Sequence, residues 1–115
     1  MIITHRSVND INIVAISGRM LMTHAEEARG SLKKTIQDGN GTVLLDLSQL
    51  TFIDSSGCGV LISALKYTRT REGNIALCAL TRNVRALLEL TKVIELFSVF
   101  DTVEEALAAF GSNPD

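Results

Sequence analysis

Between Thr42 and Leu80 the chain passes from a short aliphatic run, through a short loop and a long apolar helical stretch, into a second aliphatic run. Thr42 to Leu47 is too short and too aliphatic for anything but a buried strand. Gly57 to Arg71 reads as a helix whose first half is apolar nearly all round, so it is pressed into a core. Glu72-Gly73-Asn74 is a turn, and Ile75 to Leu80 is another buried strand. Strands linked this briefly through a helix have to lie parallel, with a right-handed crossover.

The flanking segments extend the pattern. Ile2 to Val8 and Ile11 to Ser17 read as a hairpin about the turn pair Asn9-Asp10, with Gly18 ending the second strand. Thr23-His24-Ala25-Glu26 has the spacing of a capping box, and Ala25, Ala28, Leu32 and Ile36 fall on one helical face before Asp38-Gly39-Asn40-Gly41 stops the helix. Thr81 is placed to cap a third helix with Val84, Leu87, Leu88 and Thr91 on one side. Ile94 to Phe100 holds a last short strand. Thr102-Val103-Glu104-Glu105 repeats the capping-box spacing ahead of Ala106, Leu107 and Phe110. The order β-β-α-β-α-β-α-β-α predicts a single α/β domain over residues 1–110. It comprises an N-terminal hairpin and then β-α units, a mixed four- to five-stranded sheet covered by about four helices. Residues 111–115 are expected to form a flexible tail.

Composition narrows the function classes. Of the 115 residues, 46% are hydrophobic and only 4% aromatic, with no Trp, so one aliphatic core suffices. Eleven basic against 13 acidic residues give a net charge of -2, too balanced for a nucleic-acid or anionic-membrane partner. Cys58 and Cys78 fit neither a CxxC nor a metal-site spacing and are expected to be buried free thiols, as in a reducing cytoplasm. The N-terminus has no signal-peptide pattern, and no apolar run is long enough for a bilayer. A cytoplasmic protein, monomeric when free, is expected.

Chemistry concentrates in Asp54-Ser55-Ser56-Gly57-Cys58-Gly59-Val60, read as a loop at the carboxyl end of the strand that holds Asp46. In such folds that edge gathers ligands and partners. Two readings of the hydroxyls stand on local physics. Asp54 or Ser55 can simply cap the helix, with the glycines allowing close approach. Alternatively, one cap is enough, and Ser56 is left in the first turn with a free hydroxyl that a kinase can reach. A phosphate there adds about -1.5 to -2 charges at the positive helix end without unfolding the domain. Catalysis fits less well. There is no GxSxG elbow and no GxxxxGK[ST] loop, and His5 and His24 both lie in the N-terminal quarter as surface residues. Cys58 reads as a small packing residue. No enzyme, cofactor or metal is expected.

Asp54 to Val60 strongly resembles the DSSG-x-GV signature of STAS domains, and of bacterial anti-sigma factor antagonists in particular. Leu45-Asp46-Leu47-Ser48, Phe52-Ile53, Ile75 to Leu80 and Leu87-Leu88-Glu89-Leu90-Thr91 extend the likeness over nearly the whole chain. The resemblance implies a partner switch. The unmodified protein binds an anti-sigma factor that is also a serine kinase, phosphorylation separates the pair, and a metal-dependent serine phosphatase resets it. It also implies Ser56 as phosphoacceptor, with Ser55 as runner-up. The implied partner surface is made of Arg19, Met20, Leu21, Met22 and Thr23 together with Asp54, Ser55, Ser56, Gly57 and Cys58. One departure stands out: where many phosphorylatable relatives have a GELD-like acidic sequence, this chain has Gly18-Arg19-Met20-Leu21.

Other classes rank below this one. A STAS module that is never phosphorylated would bind an anion or other subunits as a sensor or scaffold. A response-regulator receiver needs an acidic pair after its first strand and a late-strand Lys, and neither Gly18 to Leu21 nor Ile75 to Leu80 supplies them. A hydrolase comes last.

Overall fold

The computed structural model of the chain describes residues 1–111. The tail expected over 111–115 lies outside the described residues, except for Gly111, which ends the last helix. The elements are β1 (Ile2–Val8), β2 (Ile11–Met20), α1 (Ala25–Asp38), β3 (Val43–Asp46), β4 (Leu50–Ile53), α2 (Ser55–Thr70), β5 (Ile75–Cys78), α3 (Arg82–Leu90), β6 (Ser98–Phe100) and α4 (Val103–Gly111). Short 3-10 turns at Met22–His24 and Val93–Leu96 precede α1 and β6.

These strands form one mixed sheet in the order β1-β2-β3-β5-β6, with β4 also paired to β2. The β1–β2 hairpin is antiparallel and every other pairing is parallel, as the alternation of strand and helix requires. Period-two alternation divides the strands between two layers. Val14, Ile16, Leu45 and Leu77 enter a core shared with α1, α2 and α3. Ile13, Leu44, Ala76 and Cys78 meet Val103 and Ala106 of α4 on the other face. Phe100 and Phe110 close that second layer edge to face, with ring centroids 6.0 Å apart.

The sheet has six strands where four or five were expected. The additional strand is β4, in a stretch read from sequence as loop. Only Leu50 and Ile53 of β4 are buried, while Thr51 and Phe52 face outward, so it lacks an uninterrupted aliphatic run. β3 pairs with residues 12–15 of β2 and β4 with residues 18–20, so the two strands lie in tandem along one side of β2. β2 therefore does not end at Gly18. It bends there, at φ +91° with a register shift, and continues to Met20.

Two of the expected caps are corrected. Thr23 sits inside the 3-10 turn, and α1 starts at Ala25 without a side-chain cap from His24. Thr81 does occupy the cap position of α3, but its hydroxyl donates to the Leu50 carbonyl at 2.7 Å and so ties α3 to β4. The third proposed cap forms. The Thr102 hydroxyl accepts the Glu105 N–H at 3.0 Å, and the Glu105 carboxylate accepts the Asp101 N–H at 3.2 Å. No helix among the described residues is long and apolar enough to cross a membrane.

Candidate functional site

The site is built around Asp54, which leaves β4 in an extended conformation (φ -103°, ψ -172°) and caps α2. Asp54 Oδ1 accepts the Gly57 N–H at 2.9 Å and Oδ2 accepts the Met22 N–H at 2.9 Å. One carboxylate therefore clamps the start of α2 to the chain leaving β2. The Gly57 amide is the main cause that holds this carboxyl below its ordinary 3.8; partial desolvation opposes it, and the Met22 amide adds to it. Asp54 follows β4 rather than the strand holding Asp46, which corrects the placement expected from sequence. It still lies at the carboxyl edge, because β4 runs parallel to β2.

Gly57 allows the helix to begin so close to the sheet. A Cβ there would run into the Ile53 side chain and stand 2.8 Å from the Met20 carbonyl oxygen. With Asp54 as cap, α2 starts at Ser55, two residues before the expected Gly57. Ser55 is exposed and Ser56 half-buried, both in the first turn. Among the described residues neither hydroxyl has a hydrogen-bond partner, whereas the cap is complete without them.

The two serines face different neighbours. Ser56, Ser63 and Tyr67 follow one another along the side of α2 that meets α1. Arg29 Nε donates to Ser63 Oγ at 3.2 Å, and Lys33 Nζ stands 5.8 Å from the centre of the Tyr67 ring. Ser55 stands three positions before Cys58 and four before Gly59, on the flank of α2 between those two residues.

The expected partner surface is rearranged. Met20 is a core residue with 0% exposure, so the placement of its side chain among surface contacts is corrected. β2 runs through it and its side chain joins the inner layer. Gly57 and Cys58 are buried as well. Leu21 and Asp54 are half-buried, while Arg19, Met22 (71% exposed) and Thr23 face solvent. Phe52, 41% exposed, joins them, with the Arg19 guanidinium 5.2 Å above its ring. Phe52 was not placed on this surface from sequence because the stretch reads as loop, and the exposure of Phe52 beside the buried Leu50 and Ile53 does not follow strict strand alternation. Arg29 was missed as well, because no local motif exists for it.

The remaining candidates are inert or structural. Burial pushes the Cys58 thiol above its ordinary 9.0, helped by the Asp54 charge and opposed by the Thr91 hydroxyl. Burial likewise pushes Cys78 up to about 12. His5 bonds the Thr35 hydroxyl at 3.1 Å, and His24 Nδ1 accepts the Leu21 N–H at 3.2 Å. Among the described residues no group of three or more His, Cys, Asp or Glu is arranged to hold a metal.

A mixed sheet whose edge presents an Asp-capped Ser-Ser helix start defines a class, and residues 3–106 match the STAS domain family. The chain belongs to that family. It is 30% identical over 110 residues to BtrV of Bordetella bronchiseptica, assigned as an anti-sigma factor antagonist, covering 96% of this chain and 95% of that one. A STAS domain protein from Planctomyces limnophilus, described as an anti-sigma-factor antagonist, shares the fold with a TM-score of 0.86 at 23% identity, covering 95% and 97% of the two chains. SpoIIAA, described as an anti-sigma factor antagonist in its unphosphorylated form and as a Bacillus cell fate determinant in its phosphorylated form, shares the fold in both. The unphosphorylated form has a TM-score of 0.83 at 19% identity over 99% of this chain and 100% of that one. The phosphorylated form has a TM-score of 0.74 at 19% identity over 95% and 99%.

Proposed function

We propose that this protein is an anti-sigma factor antagonist that works by partner switching. In the unphosphorylated state it binds an anti-sigma factor that is also a serine kinase. Phosphorylation of Ser56 dissolves the complex, and a metal-dependent serine phosphatase restores binding. One observation carries the reading. Asp54 uses both carboxylate oxygens on backbone amides, so the capping of α2 needs neither serine and the Ser56 hydroxyl is left unengaged at the sheet edge. The same corner exposes Arg19, Phe52 and Met22, a mixed apolar and cationic surface of the kind that buries well against a partner. The relatives named as anti-sigma factor antagonists support the same reading.

The test is incubation with the cognate kinase and ATP, followed by peptide mass spectrometry. Phosphate is expected on Ser56, and its absence from both Ser56 and Ser55 defeats the proposal. In a pull-down, Ser56→Ala is expected to retain the anti-sigma factor and Ser56→Asp to lose it while keeping the native circular dichroism. Equal retention by the two variants speaks against the switch.

A further inference from the structure

We infer that Arg29 is the counter-charge for a phosphate on Ser56, so that α1 distinguishes a group on Ser56 from one on Ser55. The inference rests on the phosphorylation reading above and adds the residue of this chain that receives the group. It stands on the unfinished bonding of one guanidinium. Two sides of the Arg29 fork are occupied: Nε donates to Ser63 Oγ at 3.2 Å, and Nη1 lies 3.7 Å from Glu26 Oε1. The third side is open. Nη2 lies 3.1 Å from the point where a Cβ of residue 59 would stand, and among the described residues it has no acceptor. Gly59 lets the guanidinium rest close against α2, since a Cβ there would make it give way by a few tenths of an ångström.

Ser56 is one helical turn before Gly59. Positions three and four apart on a helix are both about 5–6 Å from each other at Cβ, so Gly59 neighbours Ser55 as well, and what favours Ser56 is the Ser63 side of the guanidinium. A phosphoserine reaching from Ser56 and an arginine fork already resting at Gly59 span that gap by a rotamer change, and a planar fork suits two phosphate oxygens at once. Ser56 shares its side of α2 with Ser63 and Tyr67, both of which α1 already contacts through Arg29 and Lys33. Ser55 stands on the flank of α2 between Gly59 and Cys58, further from the line through Ser63 and Tyr67. In the transfer, the Ser56 Oγ–phosphorus bond forms as the bond between the γ-phosphorus of ATP and its bridging oxygen breaks. ADP leaves with that electron pair, and the hydroxyl proton passes to a base of the kinase. Arg29 then turns from Glu26 toward the new dianion. Glu26, whose side chain is 99% exposed, is left unpaired, which makes this corner more acidic still.

The experiment installs phosphoserine during translation at position 56, or at position 55, of the full chain. No kinase is involved, so failure of enzymatic phosphorylation and failure of this inference are separate results. Phosphorus NMR follows the second ionisation of each phosphate, near pH 6. With phosphoserine at 56, Arg29→Gln is expected to raise the midpoint by roughly half a unit or more, because a nearby cation favours the dianion. With phosphoserine at 55, on the flank of α2 further from Ser63, the same substitution is expected to raise it less. An unchanged midpoint at 56, or equal changes at both positions, overturns the inference. A second reading needs no substitution: in the otherwise unaltered protein the Arg29 Nε–H resonance is expected to move as phosphoserine 56 titrates. A resonance that stays still overturns the inference as well.

Discussion

Asp54 accepts two backbone amides from segments far apart in sequence, and its ionisation is therefore coupled to folding. Its carboxyl is held below 3.8 in the folded protein, so the folded state binds its proton less readily than the unfolded chain does. The stabilisation is complete above the unfolded value and is lost as pH falls through the lower folded one. Asp54→Asn retains one acceptor for Gly57 but presents an amide N–H to the Met22 N–H. It is expected to melt at a lower temperature than the parent near neutral pH, with the two curves converging as the medium becomes strongly acidic. Circular dichroism melts over a pH series decide the point, and a difference that persists undiminished in acid refutes the role. Gly57 belongs to the same corner. Gly57→Ala forces a methyl onto Ile53 and the Met20 carbonyl, and urea unfolding is expected to show a loss of about 1–3 kcal/mol.

At the scale of elements, β4 is the piece that the sequence concealed, and it positions the site. It is held to β2 by a parallel ladder and to α3 by the bond from the Thr81 hydroxyl to the Leu50 carbonyl. Thr81→Val keeps the shape and removes that donor, so a loss of about 1 kcal/mol in urea is expected, with the fold intact. A second backbone feature lies where β5 ends: Ala79 sits at φ +60°, a left-handed conformation costly for a residue with a Cβ. Ala79→Gly is expected to raise stability by about 0.5 kcal/mol, the relief of that strain being partly offset by the greater freedom of glycine when unfolded. What could be read in advance divides along the same line. Helix faces such as Ala25, Ala28, Leu32 and Ile36, and the all-buried strands β3 and β5, announce themselves because the apolar period is complete within each element. The serine pair was legible because a cap, two hydroxyls and two glycines stand in one short run. β4 was not, since half of its residues face outward. Arg29 was not either, because its contact with α2 exists only once two helices 34 positions apart in sequence have packed. Met20 was misplaced for the related reason that a bulged strand continued past the glycine expected to end it.

Across the whole molecule, the two faces of the sheet have separate cores, one under α1, α2 and α3 and the other under α4. Each core contains one thiol, Cys58 in the first and Cys78 in the second. Both have pKa values raised by burial, Cys78 to about 12. Neither is expected to react with iodoacetamide at neutral pH until the chain opens, so mass spectrometry of the time course reports the opening of each layer. Faster labelling of Cys58 alone would mean that the α1–α3 layer opens independently. The raised Cys78 value also fixes the sign in alkali: the unfolded thiol ionises near 9.0 and the folded one near 12, so stability is expected to decline as pH climbs between them.

The clamp formed by Asp54 has a consequence for how far any message written at Ser56 can travel. A backbone corner pinned through two amide bonds has little room to change shape, so beyond the side chains beside it what an added anion alters is the electric field. In physiological salt that field fades over about 8 Å. Only a surface pressed against this end of the sheet can register it. The outer surface of α4, on the opposite face of the sheet, is separated from it by both cores.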